Sequence, residues 1–243
     1  MTLQALRPHH DVAPQVKPRW RGRIHQLAAG PAWAAAGLAW TLPRRPVVRA
    51  ALGPFATTTA ALFTTSAGYH RGGLLAVDAA EGRRHLVAEA DARRRRWKLA
   101  DHVVGYCFGA SSYTALALLA LPRPWREGLV VTTWALAGLA SVLKSRGLDV
   151  LSGPADRVQA VLTLAAVGVA PVLPRVLSRS EQAALWAGIA AYGAGGAVLT
   201  LRRPDPSPAV FGYHETAHAS MLVGTAVHAA LFVALARRRA GRP

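Results

Sequence analysis

His214 and His218 stand four residues apart in an apolar run near the end of the chain. On a helix that spacing puts two imidazoles on one face, about 6 Å apart along the axis, where both can bind one metal ion. His25, His70, His102 and Asp101 stand at the edges of other apolar runs. Ionisable groups at membrane depth are costly, and they mark functional sites. Three histidines and a water make the usual open zinc site. A nearby carboxylate can orient that water or take its proton, because zinc lowers the water pKa towards about 7. Ser66 precedes His70 by four residues and shares its face. Asp101 is followed by Gly105 and Gly109 at four-residue steps, a small-residue packing stripe that turns the carboxylate into the bundle.

The other histidines carry less. His102 points away from the face of Asp101. His228 lies about 21 Å along the helix from His214, too far for the same metal. His9, His10 and His85 fall in polar segments. With nine histidines in 243 residues, about one-third of an H-x-x-x-H match arises by chance, so the argument rests on convergence. The run His214-Glu215-Thr216-Ala217-His218 also reads as H-E-x-x-H, with Glu215 in the general-base position of a metalloprotease. Only 25 residues follow His218, and His228 is the one histidine among them. A third protease ligand would therefore come from upstream, from His70 or Asp101.

The elements that must position these groups are membrane helices. Of the residues, 52% are hydrophobic and 17% charged, against about 25% charged in an ordinary soluble domain. The apolar residues fall in blocks close to the roughly 20 residues that cross a bilayer. The expected fold is all-α, a polytopic membrane protein of seven spans: 24–42, 49–70, 99–121, 127–143, 158–177, 182–201 and 211–236. A basic N-terminal segment, 1–23, precedes the bundle, a long loop occupies 71–98, and a short basic tail, 237–243, ends it. The first 23 residues do not read as a cleavable signal peptide. Alternating helix direction brings the starts of spans 1, 3 and 7 and the end of span 2 to one face, which places His25, His70, Asp101, His214 and His218 at one membrane level.

The net charge is +17. In a soluble protein that would suggest nucleic acid; here the arginines lie between the apolar blocks, so lipid is the expected environment and no nucleic-acid partner is expected. Eighteen of the 29 Lys and Arg residues fall on the face that carries the N-terminus, and eleven on the other. The positive-inside rule then puts the N-terminus and the histidines at the cytoplasmic face and the C-terminus outside. Arg93–Arg96 read as a solvated anchor beside anionic headgroups. Cys107 is the one cysteine, so no intrachain disulfide can form.

The order of short motifs resembles that of the bacterial hemolysin III family, a branch of the progestin and adipoQ receptor superfamily, from about Lys17 to Ala236. The residues that carry the resemblance are Lys17–His25, then Thr65-Ser66-Ala67-Gly68-Tyr69-His70-Arg71, Asp101-His102 with Tyr113-Thr114, Arg203-Pro204-Asp205-Pro206, and Phe211-Gly212-Tyr213-His214-Glu215 with His218. His228 matches a further family histidine. The resemblance implies seven helices in a bacterial plasma membrane and one zinc ion at the cytoplasmic end. By that analogy His70, His214 and His218 are the ligands, Asp101 holds the water on the metal, and Ser66 is adjacent. Ceramidase-like amide hydrolases in the superfamily suggest a lipid amide as the substrate class, whereas the family name implies membrane lysis.

Two function classes follow. One is a zinc hydrolase acting on a lipid amide or ester. The other is a non-enzymatic membrane protein, pore-forming or receptor-like, in which zinc is a structural pin. Ser66 and Asp101 favour the first, since a structural site normally closes all four positions with protein ligands. The outer halves of the spans are Ala, Leu, Val and Gly, which disfavours a polar channel through one monomer. The sequence sets no oligomeric state.

Overall fold

The computed structural model describes residues 18–72, 84–146 and 168–241, the side chains of 84–91 excepted. Seven α-helices and one π-helical turn make up this part of the chain. They are α1 (Arg23–Thr41), α2 (Pro46–Ala67), the π-turn (Gly68–Gly72), α3 (Arg84–Ala120), α4 (Trp125–Ser145), α5 (Leu173–Val176), α6 (Arg179–Leu201) and α7 (Tyr213–Ala240). No strand occurs among the described residues.

Proline and capping residues set several boundaries. Pro46 opens α2, where its missing N–H has no partner to lose. Ser178 caps α6: its hydroxyl accepts from Glu181 N at 3.2 Å, and the Glu181 carboxylate accepts from Ser178 N at 2.8 Å, a reciprocal capping box. The same carboxylate receives Arg238 of α7 at 2.9 Å, which fixes the start of α6 beside the end of α7.

The most extensive pairings are α6 with α7, α1 with α2, α2 with α3 and α3 with α4. Their shared core includes Phe55, Phe108, Leu119, Leu173, Leu185 and Phe232. Polar side chains fasten the helices to one another. Trp33 and Trp40 of α1 donate to Thr64 and Thr57 of α2, at 3.0 and 2.9 Å. Thr58 meets Ser111 of α3 at 2.6 Å, and Trp134 of α4 donates to Thr114 at 2.9 Å. Such bonds serve between membrane helices because lipid offers hydroxyl and indole groups no partner.

The outer surface is apolar. Leu27, Leu42, Val131 and Leu201 are each 67–69% exposed. Lipid accounts for these exposed apolar side chains in a chain whose helices are apolar enough to cross a membrane. Four helical segments are long and apolar enough to cross a membrane: Ala92–Ala120, Trp125–Ser145, Arg179–Leu201 and Tyr213–Ala240. The expectation of seven spans is therefore met only in part among the described residues. α1 and α2, with 19 and 22 residues, are long enough but rich in Ala, Gly and Thr rather than Leu, Ile and Val, which lowers their apolarity. The expected fifth span, 158–177, lies outside the described residues as far as 167. Its last ten residues are not one continuous helix: 168–169 are helical, a turn follows at 170–172, and the four-residue α5 comes after it.

The loop expected over 71–98 also differs. Residues 84–98 are the first turns of the 37-residue α3. Ala, Glu and Arg dominate that stretch, and they are among the strongest helix formers.

Candidate metal centre

Three elements deliver the histidines to one end of the bundle. The π-turn after α2 carries His70, and the first turns of α7 carry His214 and His218. A π-turn is rare and recurs at functional sites. It is pressed from two sides. Gly68 faces the Trp97 ring of α3 so closely that a Cβ there would lie 2.5 Å from it. The Arg94 guanidinium covers the Tyr69 ring at 5.9 Å. On the other side, Gly22 turns the chain at φ 74°, and a Cβ on it would meet the Cβ of His70 at 3.0 Å. Both the left-handed backbone and the close approach require glycine at that position.

The start of α7 is fixed as firmly. Gly212 N donates to Glu215 Oε2 at 3.0 Å, and Tyr213 N donates to Asp205 Oδ1 at 2.7 Å. Arg21 Nε donates to Glu215 Oε1 at 2.5 Å. Arg19 N and Trp20 N donate to the carbonyls of Ala209 and Val210 at 3.0 and 3.1 Å. The segment before α1 thus lies along the segment before α7 and ties both to the π-turn.

In this frame one ligand nitrogen from each of His70, His214 and His218 lies within 4.8 Å of the other two. The ring centroids are 4.6 Å apart for His70 and His214, 5.3 Å for His70 and His218, and 4.4 Å for His214 and His218. The Nε2 atoms of His214 and His218 face each other at 2.9 Å. Nitrogens about 2.0–2.1 Å from a tetrahedral zinc lie roughly 3.4 Å apart. Small ring rotations would convert the present spacing to that one, so the trio fits a metal ion. Three neutral imidazoles are also a donor set suited to zinc and its neighbours.

Ser66 and Asp101 come together through a hydrogen bond between α2 and α3. Ser66, buried at the end of α2, donates its hydroxyl to Asp101 Oδ1 on α3. It stands one helical turn before His70. His102 lies near Tyr106 on its own helix, with ring centroids 6.5 Å apart. His228 is buried between α6 and α7, where its Nε2 lies 3.1 Å from the carbonyl of Leu185 and its ring packs on Tyr192 and Phe232. That is a packing role, away from the cluster.

Glu215 is the H-E-x-x-H carboxylate, and it is 2% exposed. One oxygen caps its own helix and the other holds Arg21. A protease base needs an oxygen free to take a proton from water, and Glu215 has both committed. The sequence motif is thus accounted for by the capping box and the ion pair. The reading of residues alone gave no role to Arg21, Gly22 or Asp205. Asp205 lies eight residues before Tyr213, the residue whose N–H it accepts, too far upstream for a helix-capping signal to be read from the sequence.

An all-helical protein with apolar outer faces and a three-histidine cluster at one end of its bundle is an integral membrane protein with a candidate metal centre. The family model described as haemolysin-III related matches residues 15–229, and the chain belongs to that family. No solved structure matches it.

Proposed function

We propose that this chain is a seven-span, zinc-dependent hydrolase of the bacterial plasma membrane that cleaves an amide or ester bond of a lipid. Its N-terminus and metal centre would face the cytoplasm and its C-terminus the outside. The observation that carries the reading is the meeting of His70, His214 and His218 within 4.8 Å, with Ser66, four residues before His70, bonded to Asp101.

Zinc at this centre would polarise a carbonyl and lower the pKa of a water. The protein's own groups have separable tasks. The three imidazoles would hold the metal and leave a position open. The Asp101 carboxylate would take up a proton, and the Ser66 hydroxyl orients it by donating to Oδ1. The apolar exterior lets a lipid chain lie against the helices while its headgroup reaches the bundle end.

α1 and α2 count as spans in this reading because 19 and 22 residues lie within the roughly 17–25 that suffice. The seventh span is the one expected from the apolar run 158–177, whose first ten residues lie outside the described part of the chain. The orientation rests on the eighteen-to-eleven division of Lys and Arg.

A non-enzymatic reading, receptor-like or pore-forming, has one observation in its favour: the Ser66–Asp101 bond also fastens α2 to α3. Metal analysis of the purified protein, with a lipid-amide turnover assay beside it, decides between them. About one zinc per chain with turnover that zinc removal abolishes supports the hydrolase. Tightly held zinc without turnover on any lipid amide or ester favours the structural pin.

A further inference from the structure

His25 stands in the first turns of α1 and is 5% exposed. Its Nε2 lies 2.9 Å from Nδ1 of His218, and the two rings meet edge to face with centroids 4.6 Å apart. Phe63 and His70 flank it at 5.7 and 6.4 Å. Its other nitrogen, Nδ1, is buried without a hydrogen-bond partner among the described residues. A ring placed here only to pack would be better as phenylalanine, since a buried polar atom left unpaired is unfavourable. Among the described residues, the one polar contact of His25 is with His218.

That contact decides which nitrogen of His218 can face a metal. The Nε2 atoms of His214 and His218 point at each other, so His218 offers Nε2 to the cluster. A neutral imidazole has one bare nitrogen and one N–H. With Nε2 bare, the proton sits on Nδ1 and is donated to Nε2 of His25. The reverse arrangement, with His25 Nε2 donating to His218 Nδ1, would put the His218 proton on Nε2 and block the ligand atom.

We propose that His25 is a positioning residue for the metal centre: its Nε2 accepts the Nδ1–H of His218 and so fixes the tautomer and ring orientation that present Nε2 of His218 to the metal. This rests on the metal reading above and adds a fourth histidine, which does not itself ligate. Partners that accept the second N–H of a ligand histidine typically change metal affinity by about 10–100-fold when removed.

The test is zinc affinity of the purified full chain, measured by competition with a chelator, for wild type, His25→Phe and His25→Gln. The Gln amide oxygen can occupy the place of Nε2 and accept the same proton, whereas Phe keeps the ring and loses the acceptor. His25→Phe is expected to bind zinc about 10–100-fold more weakly, and His25→Gln to recover most of that loss. A second readout needs no variant. Nitrogen-15 spectra of zinc-loaded wild type, labelled at the histidine rings, should show His218 protonated at Nδ1 and ligating through Nε2. Wild-type affinity in His25→Phe, or His218 ligating through Nδ1, would overturn the role of His25 and leave the metal centre standing. Wild type that binds no zinc would overturn both.

Discussion

Glu215→Gln separates the two chemistries that the H-E-x-x-H run could serve, and its effect can be worked from the structure. The Glu215 side chain is 1% exposed and its partner Arg21 20%. One carboxylate oxygen accepts from Arg21 Nε and the other from Gly212 N. A carboxamide has only one oxygen, so its NH2 must face either the guanidinium or the amide N–H of Gly212. Charge-assisted bonds of this kind contribute roughly 1.5–3 kcal/mol each. Arg21 keeps some access to solvent, so a loss near the lower end, about 2 kcal/mol, is expected. At roughly 2–4 °C per kcal/mol for a chain of this size, Tm should fall by about 4–8 °C. A double-mutant cycle with Arg21→Gln should show a coupling of about 1–2 kcal/mol, within the range for contacting pairs. Zinc content should be unchanged, and any lipid hydrolysis should persist at temperatures where the variant is folded. The assays are thermal unfolding, metal content and turnover in the same detergent. Unchanged Tm with complete loss of turnover and full zinc would refute this reasoning, because it would make Glu215 a catalytic base.

Asp101→Asn keeps a carbonyl oxygen for Ser66 but removes the charge and the base. At equal membrane abundance it should retain zinc while turnover falls by about 10²–10⁴-fold, and retention of both zinc and turnover would remove Asp101 from the chemistry. Alanine at His70, His214 or His218 should each reduce zinc retention severely, since two imidazoles remain; full occupancy in His218→Ala, measured by metal analysis, would defeat the ligand assignment. Gly68→Val should destabilise the π-turn, because the new side chain would collide with Trp97, and it should weaken zinc binding through His70; unaltered Tm and affinity would count against the clamp. A reporter fused at the C-terminus should be active only if it functions outside the cytoplasm, and cytoplasmic reporter signal would reverse the proposed orientation.

Much of the architecture was legible because the apolar blocks end where proline, glycine and arginine gather. The expected spans 24–42, 182–201 and 211–236 agree with Arg23–Thr41, Arg179–Leu201 and Tyr213–Ala240 to within about four residues. Alternating direction sufficed to place His25, His70, His214 and His218 at one end. The start of α3 was missed because hydropathy marks where a helix enters lipid, not where it begins; the helix propensity of Ala, Glu and Arg in 84–98 would have extended it. The π-turn left no trace in sequence, since a five-residue change of helical pitch alters no periodicity that can be read. The contacts Arg21–Glu215 and His25–His218 join residues about 190 apart in the chain. Such pairings depend on the rotation of each helix about its axis, which a hydrophobic pattern fixes only to within a broad face.

The central claim is a metal held by three histidines with a position left for chemistry, and X-ray absorption at the zinc edge of the purified full chain tests it most directly. Stoichiometric zinc with three imidazole nitrogens and one further oxygen donor at about 2.0–2.1 Å is the expected result, with one imidazole lost in His70→Ala. A protein purified without zinc, a shell containing sulfur at about 2.3 Å, or an unchanged shell in His70→Ala would contradict the account.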